Sequence, residues 1–142
     1  MIWDRWQVYA LLSAIFAAAT AILGKIGVTG INSNYATFIR TVVILVFIAA
    51  LVSVRSEWVS LSEVSHKSLL FLGLSGLATG LSWICYYRAL QLGPATKVAP
   101  VDKLSVAFVI VLAALFLKEP LTWQILLGGG LIVGGSLVLV WL

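Results

Sequence analysis

The chain has 142 residues, of which 62% are hydrophobic and 10% charged, and its formal net charge is +4. Soluble domains carry about 25% charged residues, so this composition excludes an ordinary soluble core. The positive charge does not indicate nucleic-acid binding, because the basic residues lie in or beside apolar segments rather than in one long basic patch. The single cysteine, Cys85, excludes an internal disulfide framework.

Five segments are long and apolar enough to cross a membrane, which takes about 20 mostly apolar residues in a helix. The predicted spans are residues 7–28, 35–54, 68–90, 97–117 and 123–142. The N-terminal segment lacks the basic region and cleavage site of a signal peptide, so the first span is expected to be retained. The sequence therefore predicts an all-α, polytopic membrane protein in which residues 1–142 form a single domain.

Charged residues lie inside the ends of several spans. Lys25 is near the end of the first, Arg40 is near the start of the second, and Asp102 and Lys103 are in the fourth. At 1.5 Å per residue, the last three lie roughly 6–8 Å inside one membrane face. A single Lys or Arg at that depth can extend to the headgroups. Asp102 is too short to do so, and we expect it to pair with one of the three basic residues or to line a wet cavity.

These four residues have two interpretations. They form a substrate path, or they form a structural network of salt bridges. In a substrate path, three positive charges against one negative charge would favour an anionic or zwitterionic ligand.

An aromatic cluster ends the third span. It contains Trp83, Tyr86 and Tyr87, and Arg88 follows it. Such a cluster is typical of the aromatic belt at a membrane interface. Alternatively, Trp83 and Tyr87 form the wall of a cavity and stack on a substrate.

Pairs of glycines spaced four residues apart occur in two spans. Gly76 and Gly80 lie in the third span, and Gly130 and Gly134 lie in the fifth. Small residues at this spacing let another helix approach closely within a membrane. We therefore expect both glycine pairs to pack against helices.

The distribution of Lys and Arg in this chain favours neither membrane orientation strongly. With five spans the termini lie on opposite faces, and the nine basic residues divide into four on the N-terminal side and five on the other. The positive-inside rule needs a larger difference to fix one orientation. The sequence therefore permits both orientations.

The order of these features resembles the EamA domain of the drug/metabolite transporter superfamily. The resemblance covers nearly the whole chain and rests on a basic residue late in the first span, an Arg early in the second, and aromatic residues before Ala-Leu at the end of the third. It also includes a small-residue turn, a Glu after the fourth span and glycines in the fifth. The matching residues are Lys25, Arg40, Tyr86, Tyr87, Ala89, Leu90, Gly93, Pro94, Ala95, Glu119, Gly128 and Gly134.

The chain departs from the family pattern at two places. The family's usual Ser-Pro in the fourth span falls on Ser105 and Val106, and Asp102 and Lys103 replace the small polar residues before it. The first span also lacks the embedded Glu through which the small multidrug resistance branch couples proton movement to export. The resemblance therefore does not imply that mechanism here.

The resemblance implies one five-helix half of an inverted-repeat transporter in the cytoplasmic membrane of a cell. The leading hypothesis is a half-size secondary transporter of a small metabolite that works by alternating access as an antiparallel dimer. Its partner would be a second copy or a homologous half-size subunit, within the lipid bilayer. The alternative is a non-transporting membrane scaffold or accessory subunit. The only histidine, His66, is predicted in a loop, and the sequence indicates no enzyme, cofactor or metal site.

Overall fold

The computed structural model describes residues 5–141, and the regular structure in this range is helical. The helices are α1 (Arg5–Gly27), α2 (Ser33–Val54), α3 (His66–Leu92), α4 (Ala95–Asp102), α5 (Ser105–Leu112) and α6 (Trp123–Trp141). Five segments of the described chain are long and apolar enough to cross a membrane, α4 and α5 belonging to one of them. The predicted all-α polytopic class is confirmed. Residue 142, the predicted end of the fifth span, lies outside the described residues.

The turn between α1 and α2 forms where the sequence offers backbone freedom and a cap. Gly30 has a φ of +80°, a conformation that glycine adopts without steric cost. The Asn32 side chain then accepts a hydrogen bond of 2.9 Å from the backbone N–H of Asn34. This capping bond satisfies one of the free N–H groups at the start of α2.

The end of α3 and the start of α4 differ slightly from the prediction. His66 is the first residue of α3 rather than part of a loop, and the helix continues to Leu92. Pro94 caps α4, and its carbonyl accepts bonds of 3.0 Å from the backbone N–H groups of Lys97 and Val98.

The fourth span, Ala95–Leu117, is not the continuous α-helix that the sequence predicts. Pro100 removes one backbone donor from α4. At Lys103 and Leu104 the backbone forms a tight turn, in which the two N–H groups bond carbonyls three residues back, at 3.1 and 3.0 Å. After α5, a single π-helical turn covers Ala113–Leu117 and ends at Lys118, whose φ is +57°. The span therefore has an interruption beside Asp102.

The described chain groups into two compact units. One joins the chain up to Leu23 with the chain from Leu92 onward, and the other is Gly24–Gln91. The buried apolar residues are Ala21, Val28, Ala36, Tyr87 and Leu90. Most large apolar side chains in the spans are exposed instead. Such surfaces need lipid or another helix to cover them, as expected for a membrane protein.

Candidate functional site

The end of α3 is tied to the end of α1 by side chains that bond backbone carbonyls. The Lys25 ammonium donates to the carbonyl oxygen of Leu90. Leu90 lies in the last turn of α3, where carbonyls have no partner within the helix and carry partial negative charge. The Lys25 ammonium therefore provides a hydrogen-bond donor and a positive charge to the C-terminus of α3.

Gln91 makes the second tie. Its amide nitrogen donates to the carbonyls of Val28, at 3.2 Å, and Ile31. Its amide oxygen accepts a bond of 3.0 Å from the Arg88 guanidinium. The turn after α1 and the end of α3 thus lie together on one side of this unit.

Gly24 of α1 and Tyr87 of α3 also make a close packing contact. A Cβ atom built on Gly24 would lie 3.1 Å from the Tyr87 hydroxyl oxygen and 3.5 Å from a methyl carbon of Leu90. Tyr87 is 5% exposed and Leu90 is fully buried. The absence of a side chain at position 24 lets the Tyr87 ring pack against α1.

Arg40 of α2 contacts the aromatic cluster of α3. Its guanidinium carbon lies 4.1 Å from the centre of the Trp83 ring and 5.3 Å from that of Tyr87. These are cation–π distances. The structure thus brings Arg40, Trp83 and Tyr87 together, and these three residues are called the Arg40 cluster below.

Asp102 and Lys103 lie beside the interruption of the fourth span. The Lys103 ammonium is 3.4 Å from Asp102 Oδ2, and the two side chains are 55% and 39% exposed. Nearby, the Lys97 ammonium donates to the carbonyl of Val140 at 3.2 Å, close to the end of α6. This last contact places a positive charge at a helix C-terminus, which is favourable.

The predicted packing glycines face open space within the described chain. A Cβ at Gly76, Gly80, Gly130 or Gly134 would meet no described atom within 4 Å. The close intrachain contacts belong to other glycines, Gly24 and Gly129, and a Cβ on Gly129 would lie 2.6 Å from the end of the Ile110 side chain. That helices of another chain pack against these four glycines stays a prediction.

Sequence reasoning did not identify the roles of Gly24, Leu90 and Gln91. Leu90 belongs to the family motif at the end of the third span, but the sequence gives no signal for Gln91. The adjacency of Gly24 to Lys25 was an available signal for a close helix contact, but it does not specify the partner.

Five segments of the described chain that are long and apolar enough to cross a membrane define a multi-pass membrane protein. The chain belongs to the EamA-like transporter family, which matches residues 4–141. The predicted resemblance is confirmed, and membership places the chain among transporter proteins.

Two relatives carry transporter names. A protein of Sinorhizobium sp named "Uncharacterized transporter in cobO 3'region" is 54% identical over 136 residues, which are 96% of each chain. The probable 4-amino-4-deoxy-L-arabinose-phosphoundecaprenol flippase subunit ArnF of Erwinia tasmaniensis is 43% identical over 76 residues, 51% of this chain and 57% of that protein. No solved structure matches the chain significantly.

Proposed function

We propose that this protein is one half of a secondary transporter for a small metabolite in the cytoplasmic membrane. Two halves, inserted in opposite orientations, open the pathway alternately to each side. The observation that carries the proposal is the odd number of spans in one family repeat, five within residues 4–141. Two such repeats in antiparallel arrangement form the inverted symmetry common to secondary transporters.

Two further features support this function. The glycines at positions 76, 80, 130 and 134 leave room for close contact with a helix of another subunit. The fourth span is interrupted beside Asp102 and Lys103, and discontinuous helices are typical of transporter binding sites.

The partner is a second copy of the chain or a homologous half-size subunit. The second possibility is favoured by one observation, since the relative ArnF is named a flippase subunit. A non-transporting scaffold is the remaining alternative, because glycine-lined faces also serve assembly.

Thiol labelling of intact cells tests the antiparallel pair. In a Cys85→Ser background, Val59→Cys places a thiol in the exposed loop between α2 and α3. An impermeant reagent should label roughly half of the molecules from outside and the rest after the cells are opened, since the Lys/Arg difference is too small to impose one orientation. Ile31→Cys, in the turn at the other end of α2, is the matched control. It should give similar fractions of molecules labelled before and after the cells are opened.

Transport by the purified protein separates the alternatives. Proteoliposomes containing only this chain are challenged with a panel of small carboxylates, phosphates and amines, and solute-dependent currents or counterflow are recorded. Signal with both orientations present supports the homodimer. One uniform orientation with transport would overturn the antiparallel homodimer, and signal that appears only with a co-expressed homologue identifies a heterodimer. No signal with either would favour a scaffold.

A further inference from the structure

We propose that the Arg40 cluster is an oxyanion site, in which the Arg40 guanidinium binds a phosphate or carboxylate group. As a site for the transported solute, this inference rests on the proposed transport function. The same chemistry also fits the phosphate of an anionic lipid headgroup.

The first observation is the position of the guanidinium along the helices α2 and α3. Arg40 is seven residues after the start of α2 at Ser33, a distance of about 10 Å along the helix at 1.5 Å per residue. On α3, Trp83 lies about 13 Å from the helix end at Leu92, and Tyr87 about 7 Å. The guanidinium is nearer to the deeper ring, at 4.1 Å against 5.3 Å. Arg40 is therefore held inward rather than extended towards the headgroups.

The second step is that the unit Gly24–Gln91 does not neutralise this charge. Within the described residues of this unit, the Arg40 side chain makes no ion pair and no hydrogen bond. The two acidic residues of the unit Gly24–Gln91, Glu57 and Glu63, lie in the loop at the other ends of α2 and α3. An unpaired cation inside a membrane span is costly, so a counter-anion is expected.

The third step is the fit to an oxyanion. Guanidinium presents five N–H donors in a fixed fork that matches the oxygens of carboxylate and phosphate. The aromatic rings supply cation–π attraction but accept no strong hydrogen bonds, so they orient the fork without using its donors. The Tyr87 ring is itself fixed by its contact with Gly24. The cluster is thus a preorganised cation with unused donors.

The test measures binding rather than transport. Purified protein in nanodiscs of phosphatidylcholine alone is titrated with inorganic phosphate and with acetate, while the thermal midpoint is recorded. A ligand that binds only the folded protein raises this midpoint. Arg40→Gln should weaken binding roughly 10-fold or more, since the charge-assisted hydrogen bonds of the guanidinium are lost. Arg40→Lys, which keeps the charge but loses the fork, should recover only part of the affinity.

The matched control is Arg55→Gln. It also removes one positive charge, but Arg55 is exposed in a loop and pairs with Glu57 at 3.9 Å. Its binding curve should equal that of the unmodified protein. Trp83→Leu, which keeps Arg40 and removes its nearer ring, provides a second variant if Arg40→Gln does not fold, and it should weaken binding as well.

Nanodiscs containing phosphatidylglycerol distinguish the two sources of the anion. Native mass spectrometry counts lipid molecules retained by the unmodified protein and by Arg40→Gln. Arg40-dependent binding of the soluble anions supports a solute site, and Arg40-dependent retention of lipid alone supports a headgroup site. Binding that is equal in Arg40→Gln and the unmodified protein, or absent in both arms, overturns the proposal. Because no arm requires transport or a particular dimer, the site can fail while the proposed function stands, and the reverse.

Discussion

Gly24→Leu will destabilise the protein by about 1–3 kcal/mol, the usual cost of forcing extra atoms into a packed site. The physical reason is the distance of 3.1 Å between a Cβ at position 24 and the Tyr87 hydroxyl oxygen. Tyr87 is 5% exposed, so its ring has little room to move away. Displacement of the Tyr87 ring should also disturb the cation–π contact of the Arg40 guanidinium with that ring. Unfolding in nanodiscs, followed by heat or denaturant, measures the loss.

Gly27→Leu is the matched control for this change. It lies in the last turn of the same helix, and a Cβ there would meet no described atom within 4 Å. The same side chain should therefore be tolerated at position 27. Equal stability of the two variants would show that α1 and α3 are not in close contact at Tyr87.

Replacing both Gly130 and Gly134 by Leu will dissociate the proposed pair without unfolding the subunit. Neither position has a described atom within 4 Å of a built Cβ, so the first carbon of each new side chain has space within the subunit. A helix from a second subunit would be held away by them. At about 1–3 kcal/mol for an overpacked contact, association should weaken roughly 10- to 100-fold. Energy transfer between labelled subunits in bilayers, at decreasing protein-to-lipid ratio, measures this.

A double change of Gly128 and Gly135 to Leu tests the other open face of α6. At about 100° per residue, these two glycines lie on a face turned well away from that of Gly130 and Gly134. They also have open space around a built Cβ. Unchanged association in this control, with loss in the first variant, supports an interface at Gly130 and Gly134. The reverse result would assign the interface to the face of Gly128 and Gly135.

The spans were predictable because hydrocarbon demands long apolar helices whose backbone groups are bonded internally. Length and hydropathy were enough to find all five, with ends within about three residues of those observed. The turns were predictable where Gly30 frees the backbone, where Asn32 offers a cap, and where Pro94 or Pro120 restricts φ. Each of these effects acts over a few neighbouring residues.

The interruption of the fourth span was not predicted as such. Pro100 is visible in the sequence. Its effect depends on whether the backbone after it forms α-helical hydrogen bonds, four residues back, or bonds only three residues back. The structure resolves this at Lys103 and Leu104, where the bonds reach three residues back. Local propensity is a weak guide when the surrounding helices influence the choice.

By itself, the sequence determined the membrane class, the number of spans, and which charged and aromatic residues lie inside them. Only the tertiary structure decided that Lys25 bonds the end of α3, that Arg40 contacts Trp83 and Tyr87, and that Gly24 makes a close contact with α3. The reason is that lipid and helix neighbours are both apolar environments, so hydrophobic periodicity does not reveal how each helix is rotated. Rotation is set by which side chains meet across helices, and those contacts join residues far apart in the chain.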